Sequence, residues 1–229
     1  MSNGNGNGKV IAVLFDIDGT LITTGGAGAV AWRQAFTELY GIPADIGRFS
    51  DAGMTDPEVG TLTFTSVIGR EPTDHELARL LAVRLEFLPD AVAGSDGYRV
   101  LAGVEALLPR LSGEGYLLGL TTGGTESAAR FKLARGRLNR YFAFGGYGSD
   151  STDRTELTKR AIERAAVLYG RALEARQCFV VGDTPLDIAA AKGAGAVSVA
   201  VASGHFSAAE LTDAGADHVL ASLEQELPL

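Results

Sequence analysis

One short apolar strand is separated in the sequence from the other predicted strands by a long helical segment, and this separation most constrains what the chain can fold into. Residues 10–15 form an apolar run that ends in Asp and Gly, as in strands buried on both faces of a parallel sheet. Residues 28–93 then carry apolar side chains at helical spacing. After Gly97, strands alternate with helices, which is typical of a doubly wound parallel sheet. The sequence therefore predicts an α/β fold whose sheet is completed across an inserted all-helical domain.

The domain boundaries follow from where these patterns change. We expect an α/β core at residues 1–21 and 97–229, a helical cap domain at residues 22–96, and a disordered Asn/Gly-rich leader at residues 1–8. Strands are expected after the cap at residues 116–121, 142–147, 178–181, 197–201 and 218–220. Helices are expected to fill the intervals between these strands.

Charge and composition exclude several classes of function. The chain of 229 residues has 28 acidic and 20 basic residues, a formal net charge of −8, which disfavours nucleic acid or an anionic membrane as a partner. It has one cysteine, Cys178, and no apolar run long enough to cross a bilayer. We therefore expect no disulfide framework and no membrane span. The Asn/Gly-rich leader has no apolar segment, so we also expect no signal peptide and a cytoplasmic protein. A monomer or a homodimer is expected.

Candidate site residues follow the first strand, because open parallel sheets bind ligands beyond the carboxyl ends of their strands. Asp16 and Asp18 lie two residues apart, so in an extended segment their side chains face the same side. Adjacent carboxylates repel, and the pair indicates either acid/base chemistry or a bound metal ion. A solvated strand-to-turn junction explains the same segment without a function.

Two later strand ends are expected at the same crevice. Thr122 and Gly123 offer a hydroxyl and an unhindered backbone N–H before a helix, which suits a phosphate but also describes a routine helix cap. Asp183 ends another strand, and Asp187 follows one helical turn later. Taken alone, Asp183 is explained as a helix cap and Asp187 as a partner of the helix dipole. Taken together, they add two carboxylates to the crevice.

The combined segments resemble a known family. Asp16-x-Asp18-Gly19-Thr20, an apolar strand ending in Thr122, and Gly182-Asp183-x-x-x-Asp187 resemble the four-motif signature of haloacid dehalogenase-like phosphatases. The helical insert resembles the cap of phosphoglycolate phosphatase-like members. This resemblance implies a Mg²⁺-dependent phosphomonoester hydrolase that acts on a small phosphorylated metabolite, with phosphoglycolate as the first substrate to consider.

The resemblance also implies roles for individual aspartates. Asp16 would be the nucleophile that forms an aspartyl-phosphate, and Asp18 would protonate the leaving oxygen and then activate water. Mg²⁺ would be held by Asp16, Asp183 and the backbone carbonyl of Asp18. Asp187 would lie behind these ligands and support them.

The same resemblance extends to phosphate and substrate binding. Thr122 and the N–H of Gly123 would bind phosphoryl oxygens. Thr55, in the cap turn that precedes a helix, is a candidate substrate contact, although a plain helix N-terminus explains it equally well.

Two departures from the family pattern concern charge and a side chain. Where relatives usually have a lysine before the last acidic motif, the best-placed residue is Arg154, and Lys159 one turn later competes with it. Gly123 stands where related enzymes often have Asn. These departures leave the reaction rate and the substrate undetermined, but they do not change the expected class of reaction.

Two other functions remain open at this stage. A phosphomutase of the same superfamily is disfavoured because such relatives use a cap lysine, and no lysine occurs between Lys9 and Lys132. A non-catalytic protein that binds a phosphorylated ligand is disfavoured by the intact set of aspartates.

Overall fold

The computed structural model describes residues 10–47 and 53–229. The predicted leader at residues 1–8 and part of the cap turn before Thr55 lie outside the described residues. In the described part of the chain, no helix is both long enough and apolar enough to cross a membrane.

A six-stranded sheet forms the centre of the core, and every pair of neighbouring strands in it is parallel. Its strands are β1 (Ala12–Phe15), β4 (Leu117–Thr122), β5 (Phe144–Tyr147), β6 (Cys178–Gly182), β7 (Val197–Val201) and β8 (His218–Leu220). They lie in the order β5-β4-β1-β6-β7-β8, so the early strand β1 is central. The order reverses beside β1, which is where doubly wound sheets bind ligands. The predicted α/β, doubly wound parallel sheet is confirmed.

Helices cover both faces of this sheet. They are α4 (Val104–Gly113), α5 (Glu126–Arg135), α6 (Arg154–Tyr169), α7 (Pro185–Ala194) and α8 (Ala208–Asp213), with short 3₁₀ helices at Asn139–Tyr141 and Ala175–Gln177. Val13 and Phe15 of β1 pack into the apolar cluster that includes side chains of α4 and α5, whereas Ala12 and Leu14 pack with side chains of α6 and α7. Because β1 is buried on both faces, its sequence is continuously apolar rather than alternating.

Between Thr24 and Tyr98 the described residues form three helices: α1 (Ala27–Tyr40), α2 (Asp56–Ile68) and α3 (Asp74–Ala93). The chain enters and leaves them through β2 (Ile22–Thr24) and β3 (Tyr98–Val100), which pair antiparallel. This pair is absent from the strands predicted from the sequence, since three-residue strands give no measurable periodicity. We propose residues 22–96 as the cap domain, with β2 and β3 at its junction with the core.

Candidate active site

Three buried carboxylates meet at the carboxyl edge of the sheet. Asp16 follows β1 and Asp183 follows the neighbouring strand β6, while Asp187 lies in the first turn of α7. The Asp16 N–H donates to the Val181 carbonyl at 2.8 Å, which holds the ends of the two strands side by side. Carboxylate oxygens of the three aspartates lie within 4.8 Å of one another. The structure thus brings together three of the aspartates singled out from the sequence.

Burial makes this carboxylate cluster electrostatically unfavourable. It raises the pKa of Asp16 well above the ordinary range, and the charge of Asp187 raises it further while Arg154 opposes the shift. Burial, followed by the charge of Asp187, raises the pKa of Asp183 to about 7, while a hydrogen bond from Thr20 acts against the shift. Excess negative charge on oxygen ligands is the donor chemistry that a hard divalent cation requires. The residues present therefore fit a site for such a cation.

Two glycines make room for the Asp183 carboxylate. Gly19 has φ of +87°, and a Cβ built there would lie 2.3 Å from Asp183 Oδ2. A Cβ on Gly204 would lie 1.8 Å from the same atom. The Thr20 hydroxyl donates to Asp183 Oδ1 at 3.0 Å, and the Ser203 hydroxyl donates to the Gly19 carbonyl at 2.7 Å. Ser203 and Gly204 reach the site from the segment after β7 and were not among the site residues predicted from the sequence.

Arg154 provides the positive charge among these aspartates. As the first residue of α6 it lies at the sheet edge, where its Nη2 donates to Asp187 and lies 3.6 Å from Asp16 Oδ1. Its Nη1 donates to the Gly53 carbonyl of the cap at 3.0 Å. Lys159 lies on the exposed surface of the same helix, with its Nζ 2.8 Å from Glu156. The geometry therefore brings Arg154 into the candidate site and leaves Lys159 outside it.

The turn after β4 contacts the cap through its backbone. Thr122 is buried, and its Oγ1 accepts the Gly124 N–H at 3.3 Å, which leaves its own O–H free to donate. The Asp56 N–H donates to the Gly123 carbonyl at 2.8 Å. A Cβ on Gly123 would lie 2.3 Å from the Met54 carbonyl oxygen. This close approach of the cap gives a physical reason why Gly, rather than Asn, occupies position 123.

Thr55 has a structural role in the cap. It is the N-cap of α2, where its hydroxyl donates to Glu58 Oε2 at 2.7 Å and accepts the Glu58 N–H at 3.4 Å. This reciprocal capping box uses the side chain locally. The neighbouring residues Met54 and Asp56 line the cleft instead. The structure thus shows Thr55 as a helix cap, the alternative that the sequence left open, and a substrate contact through its side chain stays a prediction.

Asp18 has a partner that the sequence analysis did not single out. Lys132 of α5 extends its Nζ to 2.5 Å from Asp18 Oδ2. The available signal was a single lysine on the otherwise apolar stripe of α5, which also contains Ala128, Ala129 and Leu133. Only the tertiary fold shows that this lysine ends at the cleft.

A buried ion pair links the cap to the turn after β4. Arg84 of α3 donates through Nη1 to Asp56 Oδ2 at 2.7 Å, and both side chains are buried. The same carboxylate oxygen accepts the Thr125 N–H at 2.9 Å. The Arg84 guanidinium lies over the Trp32 ring at 4.7 Å from its centroid. These contacts hold the cap against the mouth of the candidate site.

A cleft of about 440 Å³ lies between the cap and the sheet edge. Its wall includes Asp16, Thr122 and Arg154 from the core and Met54 and Asp56 from the cap. A cleft of this volume accommodates a small molecule, with its polar end against the aspartates.

Comparisons with known proteins agree with this architecture. A sequence profile of the haloacid dehalogenase-like hydrolases matches residues 11–195. A phosphoglycolate phosphatase from Rhodospirillum rubrum is 31% identical over 207 residues, covering 85% of this chain and 80% of that protein. A hydrolase from Pseudomonas syringae superposes with a TM-score of 0.70 at 24% identity, covering 93% of this chain and 94% of that one. A β-phosphoglucomutase from Clostridium difficile superposes with a TM-score of 0.73 at 18% identity, covering 96% and 94%.

The two structural likenesses show a shared fold, whereas the sequence matches show the family. The profile spans most of the chain, and the relative from Rhodospirillum rubrum is matched over most of its length. The predicted enzyme class, a phosphatase, and the predicted family resemblance are confirmed. The chain belongs to the haloacid dehalogenase-like hydrolases.

Proposed function

We propose that this chain is a Mg²⁺-dependent phosphomonoesterase that hydrolyses a small phosphorylated metabolite through an aspartyl-phosphate on Asp16. The observation that carries the proposal is the meeting of Asp16, Asp183 and Asp187 with Arg154 at the carboxyl edge of the sheet, beside the turn after β4. Carboxylates, one guanidinium and free backbone N–H groups are the parts that phosphoryl transfer requires.

Asp16 acts as the nucleophile in the first half of the reaction. One of its carboxylate oxygens attacks phosphorus, and the bond from phosphorus to the leaving oxygen breaks. Asp18 gives its proton to that leaving oxygen, which departs as an alcohol. Thr122, through its free O–H, and the Gly123 N–H bind phosphoryl oxygens, and Arg154 balances the charge that collects on them.

Water completes the reaction in the second half. Asp18, now a carboxylate, takes a proton from a water molecule as its oxygen attacks phosphorus. The bond from phosphorus to the Asp16 oxygen breaks, which releases inorganic phosphate and restores both side chains. The contacts of Gly53 and Asp56 with the core support a cap that excludes bulk water during the first half.

Asp16, Asp183 and the backbone carbonyl of Asp18 would hold the Mg²⁺ ion, with Asp187 supporting them by fixing Arg154. A bound divalent cation neutralises the carboxylates and makes phosphorus more electrophilic. The high pKa of Asp183 supports this assignment, because a cation would offset the repulsion that causes it.

Phosphoglycolate is the proposed substrate. The relative from Rhodospirillum rubrum is a phosphoglycolate phosphatase, and the cleft has room for a molecule of that size. A cytoplasmic location and a monomeric or homodimeric state remain predictions.

Phosphate release from a panel of small phosphomonoesters, with Mg²⁺ or with EDTA, tests the function. We expect wild type to turn over with Mg²⁺, to stop in EDTA, and to prefer phosphoglycolate. Asp16→Asn should abolish release, while Asp213→Asn, at the end of α8, should behave as wild type. Absence of release from every ester by wild type would contradict the proposal, and activity that needs a bisphosphate activator would favour a phosphomutase.

A further inference from the structure

We infer that Lys132 is a positioning residue that holds the side chain of Asp18 in place for proton transfer at the leaving oxygen. This inference rests on the proposed function. It assigns a specific role to a lysine that lies 114 residues from its partner in the chain.

The exposures of the two side chains make this ion pair unusual. The Lys132 side chain is 10% exposed, whereas that of Asp18 is 44% exposed. Burying an ammonium group is unfavourable, and a pair with a half-exposed partner returns little stability. An apolar residue would suit this position on the buried stripe of α5 better if stability alone decided it. The placement of the charge therefore points to a role at the cleft.

The backbone that presents Lys132 is firmly held. The Tyr98 hydroxyl of β3 donates to the Lys132 carbonyl at 2.9 Å and accepts the Gly136 N–H at 3.0 Å. Arg135, at the end of the same helix, donates to the Val92 carbonyl at 2.6 Å and to the Ser95 carbonyl at 2.8 Å. The lysine thus reaches the cleft from a helix end that is fixed to both β3 and the end of α3.

Asp18, by contrast, sits on a turn whose backbone is ordered while its side chain projects into the open cleft. The Leu21 and Ile22 N–H groups donate to the Ile17 carbonyl, and the Gly19 N–H donates to the Ile22 carbonyl. These bonds fix the main chain of the turn and leave the Asp18 carboxylate to rotate. The hydrogen bond from Lys132 restricts that rotation.

Proton transfer requires such a restriction. A general acid must lie within hydrogen-bond distance of the leaving oxygen, and a displacement of about 1 Å can cost on the order of 100-fold in rate. A positioned Asp18 matters most for an alkoxide leaving group, which must be protonated, and least for an aryl oxide that departs without a proton. The dependence on leaving group therefore separates this role from other roles of Lys132.

The test compares kcat/KM for phosphoglycolate, ethyl phosphate and p-nitrophenyl phosphate in wild type, Lys132→Met and Lys132→Arg. We expect Lys132→Met to lose about 10- to 100-fold on both alkyl esters and less than about threefold on the aryl ester. Asp18→Asn should show the same preference among the three esters. Lys132→Arg should recover most of the loss, and Lys192→Met, which changes an exposed lysine on α7, should match wild type.

Any other pattern of kcat/KM losses among the three esters overturns the inference. Equal losses of Lys132→Met on all three esters would mean that Lys132 is structural. A loss confined to phosphoglycolate would mean that Lys132 binds the substrate carboxylate. Wild-type values in Lys132→Met would mean that the ion pair has no part in the reaction. Wild type without activity on any ester would overturn the proposed function, and this inference with it, whereas the first three patterns leave the function intact.

Discussion

Removal of divalent metal should make the stability of this protein fall as pH rises, because three buried carboxylates then repel one another. The pKa of Asp183 is about 7 in the folded chain and 3.8 for an unperturbed aspartate. Between these values the folded protein keeps a proton that the unfolded chain has lost, so unfolding releases a proton and stability declines with pH. The difference corresponds to about 4 kcal/mol from Asp183 alone.

The sign of this effect depends on the groups that face Asp183. Burial and the carboxylate of Asp187 raise the pKa, the charge of Asp18 adds to them, and the hydrogen bond from Thr20 opposes them. Arg154 offsets part of the negative charge through Asp187 and Asp16. A bound Mg²⁺ ion would favour the charged carboxylates and remove the decline. Its stabilising effect should therefore grow from about pH 4 to about pH 7 and then level off.

Urea denaturation at several pH values, in EDTA and in Mg²⁺, measures this effect. We expect the free energy of unfolding in EDTA to drop by several kcal/mol between about pH 4 and pH 7. The variant Asp183→Asn should lose the part of this pH dependence that Asp183 contributes and most of the response to Mg²⁺, while the raised pKa of Asp16 keeps a smaller decline of the same sign. A free energy of unfolding in EDTA that rises over this range, or a Mg²⁺ effect that is equal at all pH values, would refute the reasoning.

Three further substitutions have defined outcomes. Arg154→Met should lower kcat by at least about 100-fold, because charge compensation at the phosphoryl group is lost, while Lys159→Met should retain wild-type phosphate release. Gly123→Ala should lose activity and about 1 to 3 kcal/mol of stability in urea denaturation, because its Cβ meets the Met54 carbonyl; wild-type behaviour would contradict the close contact. Arg84→Met should cost about 3 to 5 kcal/mol by leaving a buried carboxylate unpaired, and an unchanged denaturation midpoint would show that this pair is dispensable.

The sequence predicts the core of this fold well because burial on both faces of a central strand leaves a continuous apolar run. The run in β1 and the later alternation of strands and helices identify the parallel sheet and its insertion. The strands β2 and β3 have three residues each and mix polar with apolar side chains, so their pairing depends on the tertiary fold. Their existence could not be read from periodicity.

Part of the candidate site could also be predicted from the sequence, and part could not. Asp16 and Asp183 were expected together because parallel strands bring their carboxyl ends to one edge. The contact of Lys132 with Asp18 joins segments far apart in the chain, and no local pattern encodes that distance. A threonine before a helix has one local signature whether it caps the helix or binds substrate, which is why the sequence leaves both roles open for Thr55.

In the proposed mechanism, Asp16 carries the phosphoryl group during turnover. The most direct measurement is an acid quench of wild type during turnover of phosphoglycolate with Mg²⁺, followed by mass spectrometry of the peptides. We predict that the peptide with Asp16 gains the mass of one phosphoryl group, and that Asp16→Asn gains none and releases no phosphate. Wild-type turnover without phosphoryl on that peptide, together with activity in Asp16→Asn, would contradict the account.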